Sequence, residues 1–332
     1  MTAMIYPTTN PSLAEQMVVA RAEGPYIYDK QGKRYLEGMA GLWCTALGYG
    51  NEEIIEAAER QMRELSFSHM FGGKTHASAI ELADKLAAMV PMQDGRVFLG
   101  NSGSDANDTL LKLIRYHAEA AGQPNRIKVI AREQGYHGVT LASAALTAIP
   151  TNHAHFQLPF EALGVLRTGS ANYYRGAHEG ESEAAFVARR AEELEALILA
   201  EGPDTIAAMI AEPVSGAGGV IVPPAGYFEA IQAVLDRYGI WLWDDEVICG
   251  FGRLGADFGA NKLAMRPQMM TLAKALSSAY VPISAAIVQG DIADCINASA
   301  TEVGVFGHGY TYSGLPLGCA VASKVIDIYV RE

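Results

Sequence analysis

The chain is poor in the residues that build metal clusters and disulfide scaffolds. Four cysteines occur in 332 residues, Cys44, Cys249, Cys295 and Cys319, none in a CxxC pair and none beside a histidine cluster. That spacing argues against a zinc site and against a disulfide framework, and the four read as small core residues of a reduced protein. Positive charge is also scarce: 25 Lys and Arg stand against 37 Asp and Glu, a formal net charge of −12. A nucleic-acid binder needs a basic stripe for the phosphates, so no nucleic-acid partner is expected. No apolar run reaches the length of a membrane span, and no membrane partner is expected. The stretch from Met1 to Pro11 lacks the basic-then-apolar order of a signal peptide, and the chain reads as soluble and cytoplasmic. Repeats, low-complexity tracts and a Walker-type phosphate loop are missing too.

What is present is a chain that is 50% hydrophobic, enough for a large core. Gln31-Gly32 lies between Tyr26–Tyr28 and Lys33–Glu37 in a hairpin-like pattern. Helical spacing runs through 52–65, where Ile54, Ile55, Ala58, Met62 and Leu65 share a face, and through 76–90 with Ile80, Leu82, Leu86 and Met89. Buried strands are expected at 96–99, 126–131, 206–211, 241–243 and 284–288, and helices at 105–121, 183–199 and 226–238. Alternation of this kind predicts βαβ units and a mainly parallel sheet. Ligands then belong at the carboxyl ends of the strands.

Several unusual segments fall at those ends. Asn101-Ser102-Gly103-Ser104-Asp105-Ala106-Asn107 follows one strand and opens a helix. Free backbone N–H groups and hydroxyls there attract an anion such as phosphate; an ordinary Ser/Asp N-cap would look the same. The strand 241–243 runs into Asp244-Asp245-Glu246. A carboxylate at a strand end can pair with a protonated ring nitrogen, or the three acids can form an acidic loop or hold magnesium. Lys274 interrupts the apolar run Thr271–Leu276. It is either a surface lysine on an apolar stem or a desolvated amine able to attack a carbonyl. Tyr136-His137, between Gly135 and Gly138, offers a ring to stack on a flat ligand, or a structural turn. Glu212-Pro213 precedes the glycine-rich 215–219. A phosphate cradle, a stacking ring, a carboxylate for a pyridinium and an imine-forming lysine are what a protein must offer pyridoxal phosphate.

These residues resemble the class III, fold-type I aminotransferases, in particular the amine–pyruvate or ω-transaminase branch. The resemblance runs from about Gly24 to the C-terminus. It is carried by Gly41-Leu42-Trp43, NSGSDAND at Asn101–Asp108, GYHG at Gly135–Gly138, AEPVSGAGG at Ala211–Gly219, DEVICGFGR at Asp245–Arg253, LAKALSSAYVPISA at Leu272–Ala285 and GHGYTYSGLPLG at Gly307–Gly318. It implies an α/β, fold-type I protein: a large domain with a mainly parallel central sheet flanked by helices, and a small α/β domain cut short at the C-terminus. Residues 1–45 would start the small domain, 46–325 form the cofactor-binding large domain, and 326–332 begin the C-terminal segment.

The implied cofactor is pyridoxal 5'-phosphate. By resemblance, Lys274 is the Schiff-base lysine and proton shuttle, and Asp245 the carboxylate on the pyridine nitrogen. Ser102, Gly103 and Ser104 form the phosphate turn. Tyr136 stacks on the ring beside His137, Val247 covers its other face, and Glu212 lies near the cofactor. Thr311 matches the threonine that reaches the phosphate of the neighbouring subunit, which implies a homodimer with shared sites. Trp43, Phe71 and Tyr136 lie where the family lines its substrate pocket. Asp105 stands where the family usually has Glu, and keeps its charge and capping capacity. The substrates implied are a small-molecule amine donor and a keto-acid acceptor, pyruvate foremost. Roughly a hundred further residues are expected beyond Glu332, completing the small domain and carrying an arginine for substrate carboxylates. The rival readings are a decarboxylase or racemase of the same fold, or a catalytically silent fragment.

Overall fold

The computed structural model describes residues 3–10, 12 and 16–332. Near the N-terminus, β1 (Val19–Glu23), β2 (Tyr26–Asp29) and β3 (Arg34–Leu36) form an antiparallel sheet in that order. The β2–β3 turn is made by Asp29, whose Oδ1 accepts from the backbone N–H of Gln31 and of Lys33, each at 2.9 Å. Gly32 supplies φ +81° there, a conformation a side chain resists. This sheet buries little. Its faces are held by guanidinium groups stacked on rings, Arg21 at 3.4 Å from the Tyr28 centroid and Arg34 at 4.5 Å from that of Tyr26.

The main body is a seven-stranded sheet. Its strands are β4 (Arg96–Gly100), β5 (Lys128–Arg132), β6 (Val165–Thr168), β7 (Ile206–Ala211), β8 (Trp241–Asp245), β9 (Met269–Leu272) and β10 (Ser284–Val288), in the spatial order β4-β10-β9-β8-β7-β5-β6. β6, β5, β7, β8 and β9 pair in parallel; β10 runs antiparallel to both β4 and β9. All strands but β10 therefore share one direction, and their carboxyl ends open on one edge.

Seven longer helices pack around it: α1 (Glu52–Glu64), α2 (Ala77–Met89), α3 (Gly103–Ala120), α4 (Glu183–Glu201), α5 (Tyr227–Arg237), α6 (Gly290–Val303) and α7 (Pro316–Arg331). The strand period of two divides the core into two layers. Met209 and Leu242 join Leu82, Leu86, Phe228 and Leu235 on one side; their neighbours Ile210 and Trp243 join Leu110, Ile114 and Val129 on the other. Both faces of the sheet are covered, so β7, β9 and β10 are buried along their whole length, and β7 reads as a continuous apolar run.

Three strands escaped the sequence pattern. β1 is mostly exposed, while β6 and β9 are four residues each. The sequence MMTL in β9 carries one β-branched residue, too weak a local signal for a strand that tertiary burial stabilises. Two faces were misjudged in extent. Of the α1 stripe Ile54 is fully buried but Met62 is 51% exposed, and in α2 Leu82 and Leu86 are fully buried while Ile80 is 50% exposed.

Candidate active site

The site lies where β4, β5, β7, β8 and β9 end. Helix α3 opens it. Ser102 is extended (φ −152°, ψ 159°); its Oγ accepts from Asp105 N at 3.2 Å, and Asp105 Oδ2 accepts from Ser102 N at 3.1 Å. This reciprocal capping box stabilises the helix start. Asp105 thus does the capping that its place in the motif implied. Its carboxylate also takes Asn101 N at 3.0 Å and the Ser284 hydroxyl at 3.0 Å. Gly103 and Ser104 hold the first two helical positions, where the helix offers their N–H groups no acceptor. A Cβ on Gly103 would come within 3.0 Å of Val247 Cγ2, so glycine lets the helix end approach that side chain.

Strand β8 carries the acids further into the protein than the sequence indicated. It continues through Asp244 and Asp245, and Asp244, Asp245 and Glu246 are 0%, 3% and 0% exposed. The acidic-loop reading is thereby corrected. Among the described residues no group of three or more His, Cys, Asp or Glu is placed to hold a metal ion. Alternation along the strand divides the acids by role. Asp244 and Glu246 face away from the cavity; burial pushes both above the usual carboxylate range, and Glu246 accepts from Ala260 N at 2.7 Å. Asp245 faces the cavity. Its Oδ2 lies 2.8 Å from His137 Nδ1 and 3.1 Å from Asn107 Nδ2, and its Oδ1 accepts from Val247 N at 3.2 Å.

Lys274 starts a short 3₁₀ turn (Lys274–Ser277) directly after β9. Its φ is +47°, and Ser278 and Ala279 follow at +47° and +63°. Three non-glycine residues in the left-handed region are strained by about 1–3 kcal/mol each. The turn is held by Ser277 Oγ to Val281 O at 2.6 Å, Tyr329 Oη to Ala275 O at 2.9 Å and Leu47 N to Ser278 Oγ at 3.0 Å. Burial lowers the affinity of the Lys274 amine for its proton, against the opposing pull of Asp245 and Glu212. The surface-lysine reading is therefore discarded. The Trp43 ring centroid lies 5.9 Å from Nζ.

Glu212, 2% exposed, accepts from Tyr136 N and from Gly216 N, each at 3.0 Å. It ties the turn after β5 to the loop after β7. Burial raises its pKa, as it does that of the half-buried Tyr136 phenol. One cavity of about 410 Å³ gathers Ser102, Gly103, Ser104, Tyr136, His137, Glu212, Asp245, Val247 and Lys274. Trp43 stands at its lysine, with Cys44 on the wall. Phe71 instead lines a second cavity of about 620 Å³ with Phe98 and His308, and Thr311 is exposed on the turn after Tyr310 and lines neither.

Sequence reasoning missed Asn107 and Tyr280, both on the first cavity's wall, and Thr271 beneath it. The two polar residues behind the carboxylate sit where a helix and a strand expect apolar ones. A polar residue on an expected buried face was the available signal.

A cavity with a half-buried lysine, a buried carboxylate and a helix N-terminus has the groups that suit an anionic aromatic aldehyde. The chain belongs to the class-III aminotransferase family, whose sequence profile matches residues 8–332. It is 49% identical over 316 residues to a probable γ-aminobutyrate transaminase 2, mitochondrial, of Oryza sativa subsp. indica, covering 95% of this chain and 63% of that protein. With γ-aminobutyrate transaminase 1, mitochondrial, of Solanum lycopersicum the identity is 48%, over 95% of this chain and 61% of that one. The chain thus spans less than two thirds of the length of these relatives. The crystal structure of an ω-transaminase from Pseudomonas jessenii in complex with PMP superimposes with a TM-score of 0.96 at 47% identity, covering 99% of this chain and 73% of that one.

Pyridoxal 5'-phosphate is the cofactor of this family, and the residues present fit it. His137 Nε2 is buried without a hydrogen-bond partner, the α3 N–H groups are open to a phosphate, and the glycine at 103 leaves room against Val247.

Proposed function

We propose that this site catalyses transamination, moving an amino group from a primary amine or ω-amino acid to a keto acid, with pyruvate as the acceptor, in ping-pong order. The observation that carries the reading is a half-buried, strained lysine and a buried, hydrogen-bonded carboxylate lining one cavity. When bound, pyridoxal phosphate supplies an aldehyde for the amino group and an electron-withdrawing ring. Lys274 Nζ, whose hold on its proton burial weakens, would serve as the nucleophile toward that aldehyde and as the base for the substrate carbon's proton. Asp245 holds a proton on the ring nitrogen; His137 and Asn107 in turn hold Asp245. Gly103 and Ser104 N–H groups and the Ser102 and Ser104 hydroxyls receive the phosphate. Tyr136 and Val247, both lining the cavity, would hold the ring between them. Trp43 borders the substrate's side of Lys274.

Likeness to proteins named γ-aminobutyrate transaminase and ω-transaminase supports an ω-amino donor. The test is a visible spectrum of the purified chain with pyridoxal phosphate. A yellow band that bleaches with amine and returns with pyruvate is expected. Keto-acid-independent release of carbon dioxide, or racemisation, would replace transamination with its rivals.

The exposed Thr311 and the placement of Phe71 outside the first cavity support a homodimer in which each subunit completes its partner's site. Mixing a Lys274→Ala chain with a Thr311→Ala chain tests it: shared sites restore activity in the mixed dimer, and separate sites restore none. Four unpaired cysteines suit a reducing compartment, and we assign the cytoplasm. Among the described residues no helix is long and apolar enough to cross a membrane. Fractionation that finds the protein in an organelle would overturn the assignment.

A further inference from the structure

Asp245 is aimed by a chain of hydrogen bonds in which each member has one available role. The Trp243 indole can only donate, and its Nε1 lies 2.9 Å from Thr271 Oγ1. The Thr271 hydroxyl therefore spends its proton elsewhere, on Asn107 Oδ1 at 2.6 Å. The other end of that amide, Nδ2, faces two groups that only accept: the His137 carbonyl at 2.7 Å and Asp245 Oδ2 at 3.1 Å. Rotating the Asn107 amide by half a turn would set its oxygen against both acceptors and leave the Thr271 hydroxyl facing an NH₂. The amide is thus locked from both sides. Trp243, Thr271, Asn107 and Asp245 are 0%, 0%, 1% and 3% exposed, so water does not substitute for any link.

We propose that Asn107, locked by Thr271 and Trp243, is the positioning residue that orients the Asp245 carboxylate toward the cofactor's ring nitrogen. This rests on the reading of Asp245 given above. With two donors spent on Oδ2 and the Val247 N–H on Oδ1, the carboxylate cannot rotate without breaking a bond. Oδ1 keeps acceptor capacity for one further donor. The chain spans three elements, α3, β8 and β9. It couples the helix that carries the phosphate turn to the strands that carry Asp245 and lead into Lys274.

The test is the pH titration of the visible band of the full chain loaded with pyridoxal phosphate. A ring nitrogen held less firmly is protonated less, and loss of that positive charge moves the chromophore's own deprotonation to higher pH. Asn107→Leu and Thr271→Val are expected to raise the midpoint by about half a unit or more, while Thr271→Ser, which keeps the hydroxyl, titrates as the parent does. Should Asn107→Leu fail to fold, the Thr271 pair decides alone. Variants that fold, take up the cofactor and keep the parent midpoint overturn the inference. So does a Thr271→Ser shift as large as that of Thr271→Val, which would make the effect one of packing. A parent chain that shows no visible band overturns the proposed function and this inference with it. A normal parent band with unmoved variants overturns the inference alone.

Discussion

Two cavities of this protein differ in the opposite sense to their sizes. The second, at about 620 Å³, is the wider; it is lined by Met70, Phe71, Ile80, Phe98 and Phe306, with His308 as its titratable group. The first, at about 410 Å³, brings His137, Glu212, Asp245 and Lys274 to one wall, and three of these are at most 3% exposed. Burying charge is costly unless each group answers another. A chain retains such a cluster only where something balances it, here the His137–Asp245 contact, the Asn107 amide and the backbone N–H groups on Glu212. Apolar volume needs no such compensation. The convergence of desolvated groups, rather than cavity size, marks the place for chemistry.

That contrast can be broken by substitution. Lys274→Ala should lower turnover by at least about 10⁴-fold, since nucleophile and base are lost together. Single-turnover spectra at saturating cofactor would check it, and residual activity within tenfold of the parent would move the chemistry elsewhere. Asp245→Asn comes next, at about 10²–10³-fold in turnover with the cofactor still bound, because a charge aimed at the reacting ring is removed while the shape is kept. Cofactor retention measured by absorbance separates this from simple loss of binding.

A pH experiment sharpens the division of labour along β8. Burial raises Glu246 from its ordinary value of 4.5 to about 7, and raises the adjoining Asp244 in the same direction. In that window the folded state binds more protons than the unfolded state, so its stability falls as pH rises. The contribution is complete below about pH 4.5 and is lost on the way through about pH 7. Glu246→Gln should flatten this fall in melting temperature, without shifting the band assigned to Lys274. An unchanged slope would show that the pair stays ionised.

The smallest effect is expected at the second cavity. Phe71 is 47% exposed, and Phe71→Ala should change the unfolding free energy of the isolated chain by no more than about 1 kcal/mol. If the cavity is covered by a second copy, the same substitution should weaken dimerisation in sedimentation experiments. An unaltered dimer would leave the cavity without that role.

Local pattern was a good guide wherever one residue type does one job. The cap at Ser102 and Asp105, the turn at Gly32 and the buried runs of β7 and β10 all follow from short-range rules of helix ends, turns and alternation. The candidate site residues were legible because their neighbours are unusual: a lysine in an apolar run, three acids at a strand's end, a Tyr-His pair between glycines. β9 was not, since its four residues are held by β8 and β10 and carry little strand preference of their own. Asn107 was not, because a polar residue on the buried face of a helix marks a position but names no role until the partners from β8, β9 and the turn after β5 are known.

The sequence by itself determined the chemical inventory: a lysine, a carboxylate, a phosphate-ready helix start and aromatic rings, in an order that identifies the family. Only the tertiary structure decided which groups are deprived of water and which face one another. Asp244, Asp245 and Glu246 are equivalent as letters, and strand alternation sends the middle one to the cavity and the outer two into the protein. Lys274 is an ordinary lysine until a strained turn after β9 half-buries it in the cavity wall. Desolvation and opposition of charges are properties of packing between segments far apart in the chain, and no local pattern encodes them.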